Sequence, residues 1–214
     1  AFFDYDNDGD LDMYLLTTKL ARRDAATFIN RDTSNLDFDK LYRNDWNDSL
    51  KHPVYTDVSK QAGIQHKGMG LGVAIADINK DGWKDVYVTN DFYGSDLLYI
   101  NNKNGTFTEE AKKYFKHTSQ NAMGNDVADI NNDGLADVVA VDMNPEDNYR
   151  KKKNLNGNNY NIYRNMLYEN LMLQYVRNTL QLNMGPRING NDSVGDPIFG
   201  DISFYAGMAQ TDWS

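Results

Sequence analysis

Eleven of the 31 acidic residues of this 214-residue chain fall in three short segments, and that crowding is the most chemically suggestive feature of the sequence. The segments are Asp4-Tyr5-Asp6-Asn7-Asp8-Gly9-Asp10-Leu11-Asp12, Asp77-Ile78-Asn79-Lys80-Asp81-Gly82-Trp83-Lys84-Asp85 and Asp129-Ile130-Asn131-Asn132-Asp133-Gly134-Leu135-Ala136-Asp137. All three fit D-x-[DN]-x-D-G-x-x-D without a gap. Alternating side-chain oxygens in a tight loop converge on one point, which is what a hard cation such as Ca²⁺ requires. The expected ligands of the first loop are Asp4, Asp6, Asp8 and Asp12 with the Asp10 carbonyl. Those of the second are Asp77, Asn79, Asp81 and Asp85 with the Trp83 carbonyl, and those of the third Asp129, Asn131, Asp133 and Asp137 with the Leu135 carbonyl. Asn at the third position keeps an oxygen but removes a charge, so the first loop is expected to bind most tightly.

A single Asp-Asn-Gly cluster reads as an ordinary turn, but three ungapped copies with Gly at the same place do not. An EF-hand needs a bidentate Glu at position twelve and flanking helices. Position twelve is Leu15, Val88 or Ala140, each inside a β-type run. The chain has no Cys, and His52, His66 and His117 lie outside the loops, which disfavours a soft transition metal. Up to three Ca²⁺ ions would move the formal net charge from −9 to −3, so much of the acidity is ligand charge. An acidic chain of this kind is a poor nucleic-acid partner, and no apolar run reaches the length of a membrane span.

The elements that position the loops repeat with them. Each loop follows a short apolar stretch and precedes a β-type run: Met13 to Thr17, Val86 to Thr89 and Val138 to Val141. Next come Leu41-Tyr42-Arg43-Asn44, Leu98-Tyr99-Ile100-Asn101 and Leu180-Gln181-Leu182-Asn183. A fourth strand is expected in Val54 to Ser59, in Gly105 to Glu109 and in Phe199 to Ser203, the first and last leading to Ala62-Gly63 and Ala206-Gly207. Four antiparallel strands repeating every 40 to 50 or so residues make a propeller blade. The predicted fold is all-β, about three blades of a β-propeller, with units near 1–63, 68–115 and 122–207 and the start of another at 208–214. Loops one and two are 73 residues apart and loops two and three 52, which places an insert near Thr18 to Asp39. A second insert spans 144–175, where the apolar spacing of Tyr160 to Leu173 allows a short helix. The basic run Arg150 to Lys153 reads as a solvated loop, Tyr and Trp as blade packing, and Asp91, Asp96 and Asp142 as turn caps. Both ends, Phe2-Phe3 and Trp213-Ser214, read as cut.

The acidic loop, the D-[VL]-x-[VA] strand, L-Y-x-N and G-x-F-x-[DE] together resemble the FG-GAP/VCBS repeat of integrin-α-type β-propellers. Val141-Asp142-Met143, Pro145 to Arg150, Gln174 to Asn183 and Thr211 to Ser214 more narrowly resemble bacterial VCBS-repeat proteins related to cartilage acidic protein, which often carry an ASPIC/UnbV segment. The resemblance implies an extracellular or envelope-associated calcium-binding propeller. Its expected work is non-catalytic adhesion or ligand binding, with an unidentified protein or glycan as partner. The alternative is a secreted propeller enzyme, a lyase or hydrolase acting on polysaccharide. No Gly-rich phosphate loop, nucleophile elbow or His metal triad is present.

Overall fold

The computed structural model describes residues 1–18, 38–91, 94–153, 160–168, 170–188 and 194–210. Much of the 18–39 insert and the Thr211–Ser214 motif therefore lie outside the described residues. Three four-stranded antiparallel sheets follow one another in chain order, each with its strands in sequence order. The first holds β1 (Phe2–Phe3), β2 (Asp12–Leu15), β3 (Lys40–Asn47) and β4 (His52–Asp57). The second holds β5 (Gly70–Ala76), β6 (Asp85–Asn90), β7 (Leu97–Asn101) and β8 (Phe107–Glu109). A one-turn helix α1 (Ala111–Tyr114) and strand β9 (His117–Ser119) lead to the third sheet. There β10 (Ala122–Ala128) and β11 (Asp137–Asp142) come before an insert, and β13 (Thr179–Ile188) and β14 (Val194–Asp201) after it. The acidic loops join the first and second strands of each sheet, as the spacing predicts. The molecule is an all-β propeller fragment.

The middle sheet explains why its strands are apolar without alternation. It has a neighbour on both faces, so every residue of β6 and β7 is buried. Val86, Val88, Leu97, Tyr99 and Phe107 pack with Phe3, Tyr14, Leu41 and Ile64 of the first unit. Tyr87, Leu98 and Ile100 share a second core with Val138 and Phe199 of the third. Burial of this size provides most of the favourable energy that holds stacked sheets together. First strands crowd where the sheets converge. A Cβ on Gly72 of β5 would stand 3.0 Å from the Gly124 Cα and the Asn125 N of β10, so only glycine fits.

The 144–175 insert does contain helix, at α2 (Asn148–Lys153) and α3 (Tyr160–Tyr168), with β12 (Leu173–Tyr175) after them. The basic run Arg150 to Lys153 is thus part of a helix rather than a loop; none of that helix is buried, and Arg150 pairs with Asp147 one turn away. One pairing has no counterpart in the sequence reading. Strands β12 and β9 run parallel, outside the three sheets, tying the insert back to the chain before β10.

Turn caps after the second strands are buried carboxylates with a shared logic. Asp39 accepts from the Tyr14 hydroxyl at 2.9 Å and from the Thr17 N–H at 2.8 Å. Asp96 accepts from the Tyr87 hydroxyl at 2.8 Å and from the Asn90 N–H at 3.1 Å. In the third unit Val139 stands where the tyrosine was and Asn178 where the acid was, and its Oδ1 accepts the Asp142 N–H at 2.7 Å. Loss of the hydroxyl donor and loss of the carboxylate go together, so the third unit does not bury a carboxylate at a position that lacks the tyrosine donor.

Burial, opposed by the Asn90 N–H and the Tyr87 hydroxyl, pushes Asp96 up to about 7. Its folded pKa lies above the unfolded carboxylate value of about 3.9, so between these values the folded chain holds more protons than the unfolded chain. Its contribution to stability therefore falls as pH rises through that window. Denaturant titrations at pH 5 and pH 8 should show wild type losing stability relative to Asp96→Asn, by at most about 1.4 kcal/mol per pH unit. Parallel pH profiles for the two proteins would refute the assignment.

Candidate metal loops

The three loops share one backbone. The fourth residue is left-handed in each (Asn7, Lys80 and Asn132, all at φ 59°), and Gly9, Gly82 and Gly134 follow two residues on at φ 94°, 90° and 82°. Two left-handed residues so close fold the chain back on itself, and the second position favours glycine. Carboxylates at positions one and five then cap the turn. Asp4 accepts from the N–H groups of Asp8 and Gly9, Asp77 from Asp81 and Gly82, and Asp129 from Asp133 and Gly134, at 2.8 to 3.2 Å. Position five accepts from the position-seven N–H: Asp8 from Asp10, Asp81 from Trp83 and Asp133 from Leu135.

In the first loop Asp4, Asp6 and Asp8 each bring a carboxylate oxygen within 4.8 Å of the others. Asp6 Oδ1 and Asp10 Oδ1 are shielded from water without a hydrogen-bond partner. Desolvation first, then the Asp8 and Asp4 charges, raises the pKa of both Asp6 and Asp10. Crowded carboxylates and orphaned oxygens of this kind fit a hard divalent cation, whose charge removes the repulsion and whose coordination shell uses the oxygens. Loops two and three replace one carboxylate by an amide. Asn79 Nδ2 donates to Asp81 Oδ2 at 3.0 Å and Asn131 Nδ2 to Asp133 Oδ2 at 2.9 Å, so each amide pairs with the carboxylate two residues on.

The last aspartate of each loop is placed differently. Asp12, Asp85 and Asp137 are buried. One oxygen of each accepts the N–H of loop position two, from Tyr5, Ile78 or Ile130, at 2.9 to 3.0 Å. The other accepts the N–H of Asn44, Asn101 or Asn183 on the third strand, at 2.7 to 2.9 Å. Each is a clamp joining the loop's start to the middle of the sheet. Burial, against these two donors, pushes Asp12 up to about 6 and Asp85 up to about 7.

The asparagine that ends each L-x-x-N run is a functional position to which the sequence reading gave no role. Asn101 Nδ2 donates to the Tyr5 carbonyl of the preceding unit at 2.8 Å and to Lys84 O of its own loop at 3.3 Å. Asn183 Nδ2 reaches Ile78 O and Ala136 O in the same way, at 3.4 and 3.3 Å. Its recurrence in all three units was the available signal. Lys103 adds a local cation to the second loop, 3.3 Å from Asp81.

These features define a class: a propeller repeat with a metal-type loop between its first two strands. Residues 77–140, which run from the second loop into β11, match the FG-GAP-like repeat family model. Integrin alpha-3 of Mus musculus is 30% identical over 81 residues, covering 33% of this chain and 8% of that protein. Cartilage acidic protein 1 of Mus musculus is 32% identical over 89 residues, covering 41% and 14%. The matched parts are thus a small fraction of either relative. Residues 77–140 of the chain carry an FG-GAP-like repeat, and parts of the chain are similar to integrin alpha-3 and cartilage acidic protein 1.

Asp85→Asn turns an acceptor into a donor opposite a buried N–H. Denaturant unfolding in excess chelator should show a loss of about 1 to 3 kcal/mol. Unchanged stability there would mean the clamp carries no weight.

Proposed function

We propose that this chain is a calcium-binding, extracellular or envelope-associated propeller module that binds a protein or glycan ligand and does no chemistry of its own. The blade units are those near 1–63, 68–115 and 122–207. The observation that carries the calcium reading is the first loop, where three carboxylates converge beside two oxygens without partners. Ca²⁺ there would be held by Asp4, Asp6 and Asp8 with the Asp10 carbonyl; Asp12 closes the set through its remaining lone pairs. In loops two and three the sets are Asp77, Asn79, Asp81 and Asp85 with Trp83, and Asp129, Asn131, Asp133 and Asp137 with Leu135. The ion supplies charge neutralisation and rigidity at the blade hairpin.

The non-catalytic reading is supported by the surroundings of the loops. A cleft of about 290 Å³ opens beside the first two loops, lined by Asp6, Arg43, Trp83 and Lys103 among others. Its one carboxylate, Asp6, belongs to the cation cluster, and carboxylates committed to a cation stay ionised and do not shuttle protons. Arg43 is paired with Asp45 at 2.8 Å. The extracellular placement and the adhesive or ligand-binding role rest on the integrin-like relatives. No helix among the described residues is long and apolar enough to cross a membrane.

Calcium should stabilise the wild-type chain by roughly 2.7 kcal/mol per independent site at 100 times the dissociation constant, and so raise its melting temperature. Calorimetric titration should find one fewer site in Asp81→Ala, whose melting point should fall below wild type chiefly when calcium is present. Equal destabilisation with calcium and with chelator would make the loop an ordinary turn. Removing the competing ammonium in Lys103→Gln should tighten the second site by a few-fold at most, because the pair is partly exposed and worth about 0 to 1 kcal/mol. Weaker binding in that variant would contradict the placement of the ion.

A further inference from the structure

The 144–175 insert folds back over the junction of the second and third units and leaves a cleft of about 360 Å³ there. The floor of the cleft is core. Phe115 and Phe199 meet edge to face with ring centroids 5.1 Å apart, and both belong with Tyr114 and Met172 to the cluster that the two units share. Its roof is the end of α3, where Met166 is buried while Leu167 and Leu171 stand 53% and 42% exposed. Lys112 of α1 fixes that roof, its ammonium donating to the carbonyl and the Oδ1 of Asn170 at 2.5 and 2.9 Å. Every wall is built from this chain, so the cleft does not depend on what lies beyond residues 1 and 214.

The charge of the cleft opposes that of the chain. Among the described residues the charged side chains lining it are Lys112, Lys113, Lys116 and Arg187, all cationic, in a chain of formal net charge −9. Lys113 is compensated by Glu110 at 2.7 Å and Asp196 at 2.9 Å. The other three are not. Lys112 meets neutral acceptors, and the exposed Lys116 and Arg187 pair with no described residue. Apolar walls lower the local dielectric, so an anion seated between them feels these charges more strongly than one on open surface. A largely apolar enclosure of this size with a few charged groups has the make-up of a small-molecule site.

We propose that this cleft binds a small organic anion with an apolar body, an alkyl chain or aromatic ring bearing a carboxylate or sulfate. The body lies against Phe115, Met166 and Met172, and the acid group meets Lys116 and Arg187. Charge complementarity selects the sign of the ligand, and the walls select its body. A sugar chain suits them poorly, because its hydroxyls would lose water against Phe115, Met166 and Leu171 without gaining a partner. The cleft shares no residue with the metal loops and needs no calcium.

Octyl sulfate, kept below its micellar concentration, is a suitable probe. Calorimetric titration of the chain should give a single site. Methyl spectra of methionine-labelled protein should shift at Met166 and Met172, while Met13 and Met184, which lie outside the cleft, stay in place. Octyltrimethylammonium, the same body with the opposite charge, should bind markedly more weakly. Lys116→Gln combined with Arg187→Gln changes only exposed side chains and should leave the unfolding midpoint at the wild-type value. It should weaken octyl sulfate by about tenfold or more, since a hydrogen bond to a charged group is worth at least that factor. No binding to wild type, equal binding of the two surfactants, unchanged affinity in the double variant, or shifts confined to other methionines would each overturn the proposal. Displacement of octyl sulfate by oligogalacturonate or polyglutamate would overturn it too, by making the cleft a groove for an acidic polymer.

Discussion

A buried carboxylate between two backbone amides is the interaction on which the rest of this structure depends. Asp12, Asp85 and Asp137 each bridge the second residue of the acidic loop to an asparagine of the third strand. The loop is a turn of nine residues, and left to itself it would sample many arrangements at a cost of about 1 to 2 kcal/mol of entropy per residue when fixed. A hydrogen bond at each oxygen ties its entry and exit to a strand already held in the core. The upstream carboxylates then project from a frame that is set before any cation arrives. Preorganisation of this kind matters most where like charges are brought together, because repulsion otherwise opens the loop.

The same end of the sheet sets the spacing of neighbouring units. The residue whose N–H the clamp receives, Tyr5 or Ile78, puts its side chain and carbonyl into the next unit, where an aromatic ring and an asparagine amide meet them. Metal loop, clamp and inter-unit contact are therefore adjacent positions of one motif. Ordering the loop orders the edge on which the following sheet packs, so an ion held at the loop would stabilise the repeat beyond its own site.

Much of this was legible in the sequence, for definite reasons. Three ungapped loops gave the repeat, and runs such as Val86 to Thr89 gave the strands, because a sheet packed on both faces needs β-branched and aromatic residues throughout. The shared turn of the three loops followed from the glycine at the sixth position, left-handed in each. Other features left no such trace. The parallel pairing of β9 with β12 joins segments over fifty residues apart that show no shared pattern. The helix over Arg150 to Lys153 buries none of its residues, so it carries no apolar periodicity to read. Asn44, Asn101 and Asn183 recur visibly, but that their amides bridge successive units depends on how the sheets stack. Sequence also could not tell the loop-closing aspartates from the other acids, since burial rather than residue type sets them apart.

Amide hydrogen exchange in calcium-free and calcium-loaded protein tests the central claim most directly. If the clamp preforms the loops, the amides of Ile78, Ile130, Asn101 and Asn183 exchange slowly without calcium, close to the rate set by global unfolding. The amides at the loop tips, such as Asp81, Gly82, Asp133 and Gly134, slow markedly only when calcium is added. Clamp amides that exchange as fast as the tips in calcium-free protein, or tip amides indifferent to calcium, would contradict the account.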